Sequence, residues 1–271
     1  MTDVLRYTAF STDPEGGNPA GVVLDATGLS DRDMLGIAAE VGYSETAFVF
    51  PHSEPDSFHV RYYSPQVEVP FCGHATVATA VAMERTGTLA FHTPAGEVVV
   101  ETDGATATLT SVPTSAMPVS AEDLDTALQA LGWEHDELDP RYPAHWAFGG
   151  ARHLVLAART RERLADLRYD FHGLADLLRL NGAVTAHLVY EREADVFDAR
   201  DPFPVGGVVE DPATGAAAAA FGGYLRTIGK VRRPRTLTIH QGDDMGRPSV
   251  LSVAVRHNRD RVRVTGAAVR I

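Results

Sequence analysis

The sequence contains one cysteine, Cys72, and one lysine, Lys230. A single thiol excludes an intramolecular disulfide and argues against a cysteine-based structural metal site. A pyridoxal enzyme needs a lysine for its Schiff base, and Lys230 stands in a polar, basic stretch unsuited to that task. There is no P-loop and no G-x-G-x-x-G opening a helix, so a nucleotide cofactor has no evident seat. No apolar run approaches the roughly 20 residues of a membrane span. The opening MTDVLRYTAF lacks the basic flank and apolar core of a signal peptide. A cytoplasmic protein with no membrane partner is therefore expected. Basic blocks are scarce too, and the net charge is −12. The one cluster, Lys230, Arg232, Arg233 and Arg235, reads as a solvated turn, so no nucleic-acid partner is expected.

What is present is a chain of 271 residues, 44% apolar. That is enough for one large or two modest domains. It also repeats itself. Gly17-Asn18-Pro19-Ala20-Gly21 leads into Val22-Val23-Leu24, and Gly149-Gly150-Ala151-Arg152 leads into His153-Leu154-Val155-Leu156. A helix is expected after each. In the first, Ser30 and Asp33 form a capping-box-like start, Met34, Ile37, Ala38 and Val41 share one face, and Gly42 ends it. The later helix carries Leu174, Leu177 and Leu178 before Asn181-Gly182. Strands then match: 42–50 with 182–190, and 58–65 with 196–202. Each half reaches a small-residue helix, 72–83 and 214–225. These helices are apolar nearly all round, which means burial. Strand signals at 98–100 and 106–109 close the first half, and those at 237–239 and 251–255 the second. A divide is expected at 112–118, with an extra helix from Ser120 to Gly132. The simplest architecture wraps a curved sheet around a central helix, twice.

Chemistry is expected where the two buried helices begin. Helix N-termini present unpaired N–H groups and partial positive charge. Two such ends facing one cleft would hold a small carboxylate. Gly73 and Gly215 allow close approach to the backbone. Glu45 follows a helix-ending glycine and enters the apolar strand Ala47-Phe48-Val49-Phe50. Desolvation there would raise its pKa and suit it to proton exchange. His74 lies in the first turn of its helix, Asp211 precedes a proline and can cap the turn, and Cys72 is a second candidate base. A two-base racemase wants one base on each side. Here the repeat sets Glu45 against Thr185, Cys72 against Thr214 and His74 against Ala216, which favours a one-base reaction.

At these residues the sequence resembles the PhzF family, named for phenazine biosynthesis, within the diaminopimelate-epimerase-like fold. The matching stretches are GNPAGVVLDA (17–26), SETAFV (44–49), CGHAT (72–76), EDPATG (210–215) and QGDDMGRPS (241–249). The resemblance implies an α+β fold of two pseudo-symmetric lobes, each a curved, mostly antiparallel sheet around a buried helix. The expected lobes are 1–115 and 116–261, with the last strand, 262–271, crossing back to the first. It also implies a homodimer, an active site between lobes, and no cofactor or metal. The founding activity isomerises trans-2,3-dihydro-3-hydroxyanthranilate, a glutamate moving a proton from C3 to C1 of the ring; that glutamate corresponds to Glu45. Substrate binding falls to His74, Asp211, Gly73, Gly215 and Ala216. Phenazine-forming members carry serine where this chain has Ala216, which puts the substrate in question. Two readings stand beside this isomerase: an amino- or imino-acid racemase, epimerase or dehydratase using Cys72, and a non-catalytic protein that binds small carboxylates.

Overall fold

The computed structural model describes residues 2–271 and mixes strands with helices throughout. Contacts divide it into two units, one running up to Thr110 and including Thr265–Ile271, the other Ser111–Val264. No helix among the described residues is long and apolar enough to cross a membrane.

The first unit opens with β1 (Leu5–Ala9) and β2 (Asn18–Val23), paired antiparallel. Helix α1 (Asp31–Val41) starts at Ser30, whose hydroxyl accepts from the Asp33 N–H while the Asp33 carboxylate accepts from the Ser30 N–H. It stops at Gly42, where φ is +72°, a left-handed conformation that costs glycine little. Its buried face, Met34 and Ala38, packs against Val23, Phe48 and Tyr63. Then come β3 (Glu45–Pro51), β4 (Ser57–Tyr63) and the short β5 (Glu68–Val69). Helix α2 (Gly73–Ala82) buries every residue after its first. β6 (Gly87–Thr93), β7 (Gly96–Thr102) and β8 (Thr106–Thr110) complete the segment. β3 runs parallel to β2, β4 antiparallel to β3, β6 parallel to β4, and β6, β7 and β8 pair antiparallel in turn. β6 carries no strand signal in the sequence, yet its Leu89 and Phe91 face the core.

The second unit opens with β9 (Ser115–Pro118) inside the stretch read as a divide; that stretch becomes a strand by pairing with β10. Helix α3 (Ala121–Leu131) is capped by Ser120 and ended by left-handed Gly132. β10 (His145–Phe148), β11 (Arg152–Ala157), the short α4 (Arg161–Ala165) and α5 (Phe171–Leu180) follow. Next are β12 (Thr185–Glu193), β13 (Val196–Pro202), β14 (Glu210–Asp211), α6 (Gly215–Thr227), β15 (Arg235–Gln241) and β16 (Ser249–Val255). The pairings alternate as before: β10–β11 antiparallel, β11–β12 parallel, β12–β13 antiparallel, β13–β15 parallel, β15–β16 antiparallel. Strand β11 is buried on both faces. Leu154 and Leu156 join a core with Leu128 and Leu131 of α3 and Leu174 and Leu178 of α5. Helix α6 packs against β9, β10, β11, β12 and β16.

The last strand, β17 (Arg263–Arg270), pairs antiparallel with β1 and also joins β8. It closes the strands of the first unit into a ring, β17-β1-β2-β3-β4-β6-β7-β8. Helix α2 packs against β1, β2, β3, β7 and β8 within it. A closed ring leaves no unpaired edge.

Candidate active site

The first unit gathers three of the expected residues. Glu45 is the first residue of β3, set there by the left-handed turn at Gly42 and by register opposite Ala20 of β2. Cys72 is the N-cap of α2, and His74 lies in its first turn. The Cys72 thiol donates to Glu45 Oε2 at 3.4 Å and lies 3.4 Å from His74 Nδ1. His74 Nε2 is 3.4 Å from the same carboxylate oxygen. The Glu45 side chain keeps 19% of its exposure and that of His74 only 8%, so the carboxylate is the group with access to solvent.

The start of α2 is held from behind. The Thr76 hydroxyl donates to the Cys72 carbonyl at 2.7 Å, and the Tyr62 hydroxyl lies 2.6 Å from Thr76 Oγ1. With Thr76 donating forward, Tyr62 is the donor to Thr76. Cys72 makes no side-chain cap to the helix, which leaves its sulfur turned to Glu45 and His74. A Cβ at Gly73 would meet only Leu109, at 4.0 Å, so this turn is open to a small ligand.

His74 is oriented by two residues to which the sequence alone assigns no role. The Asn18 amide N–H donates to Nδ1 at 3.3 Å, and Ser44 Oγ lies 3.3 Å from Nε2. Only the amide nitrogen can donate in the first contact, so Nδ1 accepts and Nε2 carries the proton. Burial pushes the His74 pKa below its ordinary 6.5; the Glu45 charge opposes that shift but does not reverse it. The ring is therefore neutral near pH 7 and offers an N–H. Both residues fall inside the matching stretches 17–26 and 44–49, which was the available signal.

In the second unit Asp211 ends β14, and Gly215 and Ala216 open α6. The Thr214 hydroxyl donates to Asp211 Oδ2 at 2.5 Å instead of capping α6. Gln241 locks this turn: its Oε1 accepts from the Thr214 N–H, and its Nε2 donates to the Asp211 carbonyl at 2.8 Å. Gln241 begins the matching stretch 241–249, where the sequence alone assigns it no role.

Thr185, the counterpart of Glu45 in the sequence repeat, lies in a buried polar chain. His153 Nδ1 lies 2.8 Å from Thr185 Oγ1, the Thr185 hydroxyl donates to Asp201 Oδ1 at 2.9 Å, and His187 Nδ1 meets Asp201 Oδ2 at 2.8 Å. Burial, aided by His187, pushes the His153 pKa down to about 3. No acid or base replaces Glu45 at this position. A cavity of about 220 Å³ in this unit holds Arg141 and Lys230. Both are engaged, Arg141 with Asp139 and Glu191 and Lys230 over the Tyr142 ring.

The family model for the phenazine biosynthesis-like proteins, PhzC-PhzF, matches residues 7–271. An isomerase of Escherichia coli O157:H7, the uncharacterised YddE, is 32% identical over 98% of this chain and 95% of its own length. The trans-2,3-dihydro-3-hydroxyanthranilate isomerase of Pseudomonas chlororaphis is 29% identical over 99% of this chain and 97% of its own. Among solved structures, the PhzF-family phenazine biosynthesis protein of Bacillus anthracis matches with a TM-score of 0.89 and 25% identity, covering 99% of this chain and 96% of that one. On the strength of a match over nearly its whole length, the chain belongs to the PhzC-PhzF family of phenazine biosynthesis-like proteins.

Proposed function

We propose that this protein is an isomerase that moves a proton within a small cyclic amino or hydroxy carboxylate, with Glu45 as the shuttle. The relative from Pseudomonas chlororaphis is named for such a reaction. The observation that carries the reading is the setting of Glu45: a partly buried carboxylate beside a neutral imidazole and a thiol, with access to solvent on its remaining side. A one-base isomerisation needs one group that takes a proton from one carbon and delivers a proton to the next. His74 donates its Nε2 proton to the substrate or to the loaded carboxyl. Gly73, Gly215 and Ala216 supply backbone N–H groups for the substrate carboxylate and for charge that builds during transfer. Asp211, fixed by Thr214 and Gln241, accepts from an amino or hydroxyl group. The matching alternation of strand pairings supports reading the two units as one design used twice, a curved sheet around a buried helix. By family likeness we propose a cytoplasmic homodimer working without cofactor or metal.

Glu45→Gln keeps the shape and removes the titrating group. Turnover should fall roughly 10²–10⁴-fold, the usual worth of general acid–base catalysis, while ligand binding persists. Near-normal turnover would refute the shuttle. The second reading, a racemase, epimerase or dehydratase, rests on the Cys72 thiol touching both the carboxylate and the imidazole. Solvent-deuterium exchange separates the two: the shuttle loses it in Glu45→Gln, the thiol base in Cys72→Ala. Ala216→Ser tests the substrate. If it raises activity on the dihydro-hydroxyanthranilate, the missing hydroxyl explains a different native preference.

A further inference from the structure

The donor atoms of Glu45, Cys72 and His74 have a geometry that proton transfer does not require. Each residue offers one ligand atom, and the three lie within 4.8 Å of one another. Their separations are 3.4 Å for Sγ to Oε2, 3.4 Å for Oε2 to Nε2, and 3.7 Å for Sγ to Nε2. A tetrahedral zinc ion bonds sulfur at about 2.3 Å and nitrogen or oxygen at about 2.0–2.2 Å, so its donors stand about 3.3–3.6 Å apart. The three side chains already match one face of that tetrahedron to within about 0.2 Å. They also combine a soft thiolate, an imidazole and a carboxylate, a donor set that suits Zn²⁺ over Mg²⁺ or Ca²⁺.

We propose that Glu45, Cys72 and His74 form a zinc-capture site that silences the enzyme reversibly; the silencing, though not the binding, rests on Glu45 being the shuttle. The exchange balances simply. The Cys72 S–H gives its proton to solvent, and the S⁻, the Glu45 carboxylate and neutral His74 close on the ion, releasing one proton per ion bound. His74 shifts its ring proton from Nε2 to Nδ1, and the Asn18 amide turns its oxygen to accept it, as a neighbour of a metal-bound imidazole does. Bound to the dication, the Glu45 carboxylate loses its basicity and no longer takes a proton from carbon.

The test uses the full-length protein and cobalt(II) as a visible substitute for zinc. One equivalent should bind with a thiolate-to-cobalt charge-transfer band and release one proton, and zinc should displace it and abolish the band. Asn18→Leu, which leaves the three donors in place, should weaken binding roughly 10–100-fold, the usual cost of losing an outer hydrogen bond to a ligating histidine. Cys72→Ala should lose the band. Absence of the band in the wild-type protein, or unchanged cobalt affinity in Cys72→Ala, overturns the proposal. A band with one proton released, together with normal turnover in Glu45→Gln, would leave the metal site standing and remove the shuttle. The converse pair, no band and lost turnover in Glu45→Gln, would remove the metal site and leave the shuttle.

Discussion

The residue that best exposes the cost of a buried ionisable group is His153. Folded, it resists protonation down to about pH 3 because burial and His187 disfavour a charge there. Unfolded, it takes up a proton below its ordinary 6.5. Between those values the unfolded chain binds more protons, so stability is fully present above pH 6.5 and is lost as the pH falls. His74 is shifted in the same direction, again by burial, and adds to the effect. The urea midpoint should therefore drop between pH 7.5 and pH 5, before carboxylates with lowered pKa values such as Asp139 and Glu68 take part. His153→Asn should flatten that slope, and an unchanged slope would contradict the assignment. This chain of polar groups was not legible in the sequence. His153, Thr185 with His187, and Asp201 come from three different strands, and only strand pairing brings them together. Cys72 and His74 were legible as a pair two residues apart. Their contact with Glu45, 27 residues away in sequence for Cys72, is tertiary.

At the scale of elements, helix ends are written in local residues. Helices α1 and α3 carry their own start and stop signals, a serine cap and a glycine end, within a dozen residues. Strand β6 gave no such signal, because its parallel partner β4 lies 30 residues back and only two of its side chains are fully buried. The turn at Gly149 shows how closely elements pack. A Cβ there would lie 2.5 Å from the Ala220 nitrogen and 2.9 Å from the Ala216 carbonyl of α6, both backbone atoms that cannot swing aside. Gly149→Ala should therefore destabilise by about 1–3 kcal/mol, as overpacking does. It should also weaken ligand binding if the N–H of Ala216 serves the substrate. Gly36, inside α1, is the control. Nothing lies within 4 Å of its added Cβ, so Gly36→Ala should stabilise by about 0.4–1 kcal/mol. Thermal denaturation of the two variants side by side would check both, and a loss in Gly36→Ala equal to that in Gly149→Ala would void the packing argument.

At the scale of the whole molecule, the first unit depends on the far end of the chain. Strand β17 lies between β1 and β8, and Gly266 sits so close to the buried Phe10 ring that a Cβ would fall 2.2 Å from it. Removing Thr265–Ile271 should open the ring, expose the edges of β1 and β8, and abolish cooperative unfolding of the first unit. Amide exchange would show this as lost protection in α2 while α6 stays protected. Exchange that stays slow in α2 would mean that the ring holds without its closing strand. Periodicity alone does not name the neighbours of this strand, since a strand's partners are not written in its own residues. The closure also orders events during synthesis. The second unit is contiguous and can complete itself as it leaves the ribosome. The first must wait for about 155 more residues after Thr110, roughly eight to thirty seconds at 5–20 residues per second. For that interval the nascent chain holds an unfinished ring with bare strand edges, and it is then, rather than in the finished molecule, that a chaperone would find something to bind.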